Sequence, residues 1–247
     1  MKYEHYLEEL KKRLIPYQNN NLKRYGPNGD GAYILDKELV NKTNIVYSLG
    51  VGPNDSHIGF DHEMADDGKA VFLYDGSVLS FWSKRPEFKF FSEYISSKNL
   101  LKFISENGHS QETEMLLKID IEGAEYETFL NSDEKLFSHF NQITAEIHSL
   151  IFPRMEEEND ANDSAFLEKI KLLDLLNRHY NLVHLHGNNC GPTRYGISEA
   201  LELTYIRKDK CPPNMSVSQK PCPVDGLDQR NSPYREDVKM SWWIKNI

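Results

Sequence analysis

The sequence is poor in cysteine and in long apolar runs, and each shortage excludes a class of protein. Its three cysteines include no Cys-x-x-Cys pair, which argues against both a disulfide framework and a structural zinc site. No stretch reaches the length of a transmembrane helix, and residues 1–14 contain no apolar signal-peptide core. We therefore expect a cytoplasmic protein with no membrane span.

The chain also lacks net positive charge. Lys and Arg number 29 against 38 Asp and Glu, so the formal net charge is -9. The densest basic run, residues 11–13, falls on the polar side of a predicted N-terminal helix. Because nucleic-acid binders neutralise phosphates with clustered Lys and Arg, we expect a small-molecule substrate and no nucleic-acid partner. The oligomeric state stays open, and a homo-oligomer is one alternative.

From Asn44 onward, short apolar runs alternate with stretches of helical periodicity. The predicted strands cover residues 45–49, 70–74, 88–95, 115–121, 142–147, 182–185 and 200–206. The predicted helices between them cover residues 60–66, 99–107, 126–130 and 166–180. This alternation is typical of a mostly parallel sheet with right-handed crossovers, and the last two strands could pair as an antiparallel edge. The sequence thus predicts an α/β fold with a central, mostly parallel seven-stranded sheet flanked by helices.

The alternating region is flanked by two segments of different character. We expect an N-terminal helix and loop segment (1–43) that contributes to the site, a central domain (44–209) and a C-terminal extension (210–247). Residues 19–31 are rich in turn formers and predict a loop, which a short extended piece at 32–35 follows.

Two long polar stretches interrupt this pattern. Residues 151–163 are acidic and directly follow the fifth strand, and this position at the carboxyl edge of the sheet favours a lid. Residues 210–235 are rich in Pro, Asn and Ser, and a lid, an oligomer contact and a mobile tail fit this composition equally well. Trp242 and Trp243 near the end favour a chain that returns to pack on the domain.

The first predicted strand ends in a glycine turn, and the second ends at an acidic residue. Gly50 and Gly52 let the backbone turn tightly and let a ligand approach main-chain atoms. At the carboxyl end of its strand, Asp75 can accept hydrogen bonds from both ribose hydroxyls. Together they predict a nucleoside site, with Asn54 beside the turn. The alternative is a plain turn, with Asp75 capping the next helix.

A missing glycine indicates which nucleoside is bound. Dinucleotide sites favour Gly-x-Gly-x-x-Gly, whereas the third position here is Asp55, which argues against a bound pyrophosphate. A sulfonium methyl donor carries no phosphate, and it needs only the glycine turn, the ribose carboxylate and a pocket for adenine. The sequence therefore favours S-adenosylmethionine as the cofactor.

Three blocks of sequence share a family pattern: residues 23–33 (KRYGPNGDGAY), 47–52 (YSLGVG) with Phe60-Asp61, and 117–125 (LKIDIEGAE). They resemble the FkbM-type methyltransferases and related methyltransferase-like proteins, and the Asp-x-Glu-Gly-Ala-Glu block that begins at Asp120 is the most specific part. The resemblance spans about Lys23 to Leu150. It implies a Rossmann-like class I methyltransferase fold, S-adenosylmethionine as cofactor, and methyl transfer to an oxygen nucleophile, often on a sugar or a secondary metabolite.

The chain departs from this family in two places. Ser48 stands where many class I methyltransferases carry an acidic residue for the methionine amino group. We therefore expect Asp30, Asp61 or Asp120 to supply that contact. Ala32 replaces the second glycine of the usual Asp-Gly-Gly-Tyr.

A hydroxyl acceptor needs a general base, and ionisable residues end the central strands. His148 is the first candidate because imidazole titrates near neutral pH, and Asp120 is the second. Glu146 and His186 complete the predicted catalytic set, since alternation along a strand places Glu146 and His148 on one face. A structural, hydrogen-bonded role is the alternative for His148 and His186.

The same four residues, Asp120, Glu146, His148 and His186, could instead form a metal site with oxygen and imidazole ligands. The sequence contains no tight ligand motif, so a divalent metal is possible but not favoured.

These observations lead to one main hypothesis about function. We expect an S-adenosylmethionine-dependent O-methyltransferase that acts on a carbohydrate hydroxyl, in a nucleotide-linked sugar for surface polysaccharide (capsule-type) biosynthesis. That substrate class follows from the resemblance. A nucleotide-dependent oxidoreductase or epimerase on the same fold is the alternative enzyme, and a cofactor-binding partner subunit without catalysis is the third hypothesis.

Overall fold

A seven-stranded sheet organises the chain in the computed structural model, which describes residues 2–53, 58–152, 154–157 and 159–244. The strands are β1 (Leu22–Tyr25), β2 (Tyr33–Asp36), β3 (Ile45–Leu49), β4 (Ala70–Tyr74), β5 (Phe88–Phe91), β6 (Met115–Ile119), β7 (Phe140–Ile147), β8 (Tyr180–Gly187), β9 (Thr193–Arg194), β10 (Ile197–Ser198) and β11 (Leu201–Arg207). The helices are α1 (Tyr3–Arg13), α2 (Lys37–Lys42), α3 (Gly59–Asp66), α4 (Leu100–Glu106), α5 (Glu125–Leu130), α6 (Leu136–His139) and α7 (Asp160–His179).

The sheet has the strand order β5-β4-β3-β6-β7-β11-β8. Its first five strands are parallel, and β11 lies between β7 and β8 and is antiparallel to both. This confirms the predicted α/β fold with a mostly parallel seven-stranded sheet and an antiparallel edge. Strand order reverses between β3 and β6, so their carboxyl ends open a crevice at the position where doubly wound sheets bind ligands.

Alternation along the central strands builds a core on each face of the sheet. In β3, Tyr47 packs with the first hydrophobic cluster, whereas its neighbour Val46 packs with the second. The first cluster also contains the helix pair α1 and α7, where the rings of Tyr6 and Phe166 stack with centroids 4.3 Å apart. Both faces of the sheet are therefore covered, as a parallel sheet requires.

Several predicted boundaries are wrong. The predicted loop at 19–31 contains β1, which pairs antiparallel with β2 because the turn formers at 26–31 close a hairpin. Strand β5 ends at Phe91 and not at residue 95, so the segment that follows it leaves the sheet. Strand β6 ends at Ile119 and not at residue 121, which places Asp120 in the loop above the sheet edge.

The C-terminal segment packs back onto the sheet, as its two tryptophans suggested. Cys222 and Met240 exchange backbone hydrogen bonds of 2.8 Å, and Trp243 is buried. The indole N–H of Trp242 donates to the carbonyl of Lys11 at 3.0 Å. In the acidic stretch after β7, Met155 is buried and α7 already begins at Asp160; a lid role for this stretch stays a prediction.

No helix of the described residues combines the length and the apolar composition that crossing a membrane requires.

Candidate cofactor and catalytic site

A cavity of about 780 Å³ opens above the carboxyl ends of the central strands. Its walls come from residues 27–33, 50–53, 74–77, 93–95 and 118–124. The glycine turn after β3, the acidic end of β4 and the Asp120 block after β6 therefore meet in one space, as strand topology predicts.

The glycine turn has a backbone shape that other residues rarely adopt. Gly50 and Gly52 have φ of 78° and 67°, in the left-handed region. A Cβ on Gly50 would lie 1.6 Å from the carbonyl oxygen of Asp120, so the loops after β3 and β6 approach each other too closely for a side chain. Gly50 and Gly52 therefore line the cavity with backbone atoms alone.

Asp75 connects the glycine turn to the cavity. Its Oδ2 accepts hydrogen bonds from the backbone N–H groups of Val51 and Gly52 at 3.0 and 2.9 Å. Its Oδ1 accepts from the N–H and hydroxyl of Ser77 at 2.9 and 2.6 Å. Burial raises the pKa of Asp75, but these hydrogen bonds outweigh it and hold the pKa below its ordinary value, so the side chain is a carboxylate.

The three acidic candidates for the amino-acid end of the cofactor have different surroundings. Asp30 and Asp120 both line the cavity. Asp61 lies in α3, is buried, and is not among the described lining residues. Burial raises the pKa of Asp61 to about 6, although the positive charge of Lys118 acts to lower it. Asn54, the remaining predicted cofactor residue, lies outside the described residues.

His148 meets four carboxylates beside the cavity. From His148 Nε2, Asp120 Oδ1 is 3.9 Å away, Glu146 Oε1 is 3.8 Å away and Glu122 Oε2 is 3.6 Å away. On the other side of the ring, His148 Nδ1 lies 3.1 Å from Oε1 of the fully buried Glu125. Three of the four predicted catalytic residues are therefore neighbours, and we call Asp120, Glu146 and His148 the acidic cluster.

The carboxylates change the protonation of the ring. Burial lowers the pKa of His148, but the hydrogen bond to Glu125 and the charges of Glu146, Glu125 and Asp120 raise it to about 9. Without another positive charge, the imidazole is thus protonated at neutral pH, and it would have to lose that proton before it could act as the predicted base. Burial and the neighbouring carboxylate of Asp120 raise the pKa of Glu146 well above its ordinary range.

Two members of the acidic cluster are oriented by partners whose contacts the sequence did not predict. Asn188 Nδ2 donates to Glu146 Oε1 at 2.7 Å. The Tyr33 hydroxyl donates to Asp120 Oδ2 at 3.3 Å, and Lys118 Nζ lies 3.6 Å from the same oxygen. The one signal of these contacts in the sequence was Lys118, a charged residue inside the apolar run of β6.

The structure separates His186 from the other candidates. It is buried under the C-terminal segment, where Nδ1 lies 3.1 Å from Glu202 Oε2 and Nε2 lies 3.0 Å from Asp237 Oδ1. Because both ring nitrogens are engaged and His186 is not among the described cavity-lining residues, we correct its predicted catalytic role to a structural one. The adjacent His184 is similarly paired with Asp228 at 2.8 Å.

The cavity residues fit S-adenosylmethionine. The bare glycine turn leaves room for the nucleoside beside the charged Asp75, which would hold the ribose hydroxyls. Tyr94 and Ile95 add aromatic and apolar surface for adenine, and Asp30 or Asp120 would pair with the methionine ammonium group.

Comparisons with known proteins identify the family of this chain. The family model described as "Methyltransferase FkbM domain" matches residues 16–181, well over half of the chain. Probable methyltransferase-like protein 24 of Homo sapiens is 27% identical over 173 residues, which make up 63% of this chain and 46% of that protein. The chain thus spans less than half the length of this curated relative.

Two solved structures show a distant likeness. A TehB-like SAM-dependent methyltransferase from Corynebacterium glutamicum is 13% identical, with 69% of this chain and 86% of that chain covered and a TM-score of 0.35. The RNA-capping protein VP4 of bluetongue virus is 14% identical, with 86% of this chain and 35% of that chain covered and a TM-score of 0.38. The family match, together with the fold and the cavity, identifies the chain as a member of the FkbM methyltransferase family, with S-adenosylmethionine as its cofactor.

Proposed function

We propose that this methyltransferase transfers the methyl group to a hydroxyl oxygen of a carbohydrate. The observation that carries the proposal is the acidic cluster, which reaches the cofactor cavity through Asp120. An alcohol is a poor nucleophile at neutral pH, so it needs a neighbouring group that orients it and helps remove its proton. A neutral amine or a thioether is a stronger nucleophile that can attack without first losing a proton, so it would not need such a cluster.

The chain's own residues divide into two tasks in this proposal. Gly50, Gly52 and Asp75 bind the adenosine portion of the cofactor and fix its position. When bound, S-adenosylmethionine supplies an electrophilic methyl group on a sulfonium sulfur. Asp120 and His148 orient the acceptor hydroxyl at the other side of the cavity, and the acidic cluster is where that hydroxyl loses its proton. Fixing both groups in one cavity contributes to the rate by positioning.

The charge of the lining supports a carbohydrate acceptor. Among the described lining residues, Lys118 is the only Lys or Arg, whereas Asp30, Glu93 and Glu122 are acidic. Carboxylates accept hydrogen bonds from sugar hydroxyls but repel a polyanion such as nucleic acid. For a nucleotide-linked sugar, the sugar would enter the cavity and the diphosphate would stay at its mouth. More specifically, we propose that the acceptor is a nucleotide-linked sugar used to make a surface polysaccharide of the capsule type.

The test is methyl transfer by the purified chain from isotope-labelled S-adenosylmethionine to a panel of free sugars, nucleotide-linked sugars, amines and thiols. We expect an O-methylated sugar, identified by NMR of the product, and no product with His148→Ala. Methylation of amines or thiols in preference to every sugar would overturn the proposal. Turnover that needs no acceptor hydroxyl would overturn it too.

A further inference from the structure

The acidic cluster has the geometry of a cation site. One ligand atom from each of Asp120, Glu146 and His148 lies within 4.8 Å of the other two. Within the described part of the chain, His148 Nε2 makes no hydrogen bond, because its three carboxylate neighbours lie 3.6 to 3.9 Å away. Hydrogen-bonded nitrogen and oxygen atoms lie about 2.7–3.2 Å apart. The spacing is thus too wide for an imidazole that donates to any one of these oxygens.

The same spacing suits ligands that share a cation. With metal–ligand distances of about 2.0–2.2 Å, two ligands at 90° to 120° around a cation lie about 3 to 3.8 Å apart. The measured 3.8 Å from Nε2 to Glu146 is at the wide end of this range, and the 3.9 Å from Nε2 to Asp120 is just beyond it. A small inward movement of the partly exposed Asp120 side chain would complete the fit.

The partners of the cluster aim the ligand atoms at a common point. Glu125 engages Nδ1 of His148, which turns Nε2 toward the carboxylates. Tyr33 and Lys118 engage Oδ2 of Asp120, which leaves Oδ1 on the side of His148. Metal-binding histidines commonly engage their second ring nitrogen in this way, and the outer partner contributes to metal affinity.

Charge and burial also favour a cation. Glu146 is only 6% exposed, and in the described part of the chain its only ion-pair partner is His148. Four carboxylates, those of Asp120, Glu122, Glu125 and Glu146, surround this one imidazole. A buried carboxylate such as Glu146 is costly without compensating charge, and a divalent cation would supply more charge than a single proton.

We propose that Asp120, Glu146 and His148 bind a divalent cation of the class that accepts carboxylate and imidazole ligands, such as Mn²⁺. The catalytic role of this cation rests on the proposed function, because Asp120 is the ligand that lines the cavity in which the acceptor hydroxyl would bind. It revises our expectation that a divalent metal is possible but not favoured. His148 is then a ligand, and His186, the fourth residue of the predicted metal set, has no part in the site.

The cation would make the acceptor hydroxyl more acidic. The O–H bond breaks, its electron pair stays on the oxygen, and the proton leaves to water through the open cavity.

The experiment is a Mn²⁺ titration of the chelator-treated chain, followed by electron paramagnetic resonance without acceptor or cofactor. We expect saturable binding of one Mn²⁺ per chain. Glu146→Gln and Asp120→Asn should each weaken Mn²⁺ binding by about tenfold or more. Glu93→Gln, which removes a carboxylate from the same cavity but outside the cluster, should leave Mn²⁺ binding unchanged.

Two readouts keep the result unambiguous. Circular dichroism and urea denaturation identify any variant that has lost its fold, and the partly exposed Asp120 provides the safer of the two substitutions. Absence of saturable binding, or equal Mn²⁺ affinity in folded Asp120→Asn, would overturn the cation site. Stoichiometric Mn²⁺ binding without methylation of any sugar would support the site and reject the proposed function. Sugar methylation at full rate in excess chelator would support the proposed function and reject the cation site.

Discussion

Glu125 Oε1 lies 3.1 Å from His148 Nδ1 and also accepts a hydrogen bond from the backbone N–H of Ile121 at 2.9 Å. One buried carboxylate therefore fixes both the loop that carries Asp120 and the ring of His148. The last residue of the Asp-x-Glu-Gly-Ala-Glu block is thus a positioning residue: it orients the side chains that face the acceptor, but does not itself line the described cavity.

His148→Ala should abolish methyl transfer while S-adenosylhomocysteine affinity stays within about twofold, because His148 lies beside the cofactor cavity and not among its described lining residues. Glu125→Gln should lower kcat by a smaller factor, since glutamine can still accept from Nδ1. Calorimetry and a labelled-methyl assay on the same preparations would check both. Substantial activity in His148→Ala would remove the residue from the proposed site.

Asp75→Ala should weaken S-adenosylhomocysteine binding by about tenfold or more, because hydrogen bonds to a charged group contribute about 1.5–3 kcal/mol. Ser77→Ala is the matched control. It frees one acceptor position on Oδ1 for a ribose hydroxyl, so affinity should stay equal or rise. Calorimetric titration measures both variants, and unchanged affinity in Asp75→Ala would show that the ribose binds elsewhere.

Gly50→Ala should prevent folding or cost more than about 4 kcal/mol of unfolding free energy, because its Cβ would lie 1.6 Å from the Asp120 carbonyl oxygen. Gly68→Ala makes a close comparison, since Gly68 has nearly the same φ, 77° against 78°, with no atom within 4 Å of the added Cβ. Gly68→Ala should lose only about 1–2 kcal/mol of unfolding free energy, from backbone strain alone. Urea denaturation would compare the two, and similar losses would contradict the close approach of the loops.

His186 should make stability depend on pH. Burial lowers its pKa, but hydrogen bonds to Asp237 and Glu202 and the charge of Asp228 raise it to about 10, against about 6.5 in the unfolded chain. Its contribution is therefore fully present below about pH 6.5 and is lost as the pH rises towards 10.

His186→Ala tests this directly, because it should lower the unfolding free energy by about 3–5 kcal/mol at neutral pH by leaving buried carboxylates unpaired. The difference between wild type and variant should shrink from pH 6.5 to pH 10 in denaturant titrations. A difference that is constant across this range would mean that His186 is neutral in the fold.

The parts of the site that the sequence predicted are those encoded locally. Gly50, Asp75 and Asp120 each directly follow a strand, and the carboxyl ends of parallel strands meet at one edge whatever the details of packing. The alternation argument was likewise sufficient to place Glu146 and His148 together.

The parts that the sequence did not predict depend on distant segments. His186 was expected in the site because it also lies near a strand end, but β8 is the far edge strand and the C-terminal segment covers it. Neither the pairing of Asn188 with Glu146 nor that of Asn231 with Asp30 has a local signal. Such contacts between residues far apart in sequence leave no periodicity to detect.

The central claim is that one cavity joins the cofactor site to the acidic cluster. A crystal structure with S-adenosylhomocysteine tests it most directly. We predict the ribose against Asp75 and the sulfur on the side of the cavity that faces Asp120 and His148, with open space between them for an acceptor. A sulfur atom that points away from this cluster, or that is walled off from it by protein, would contradict the account.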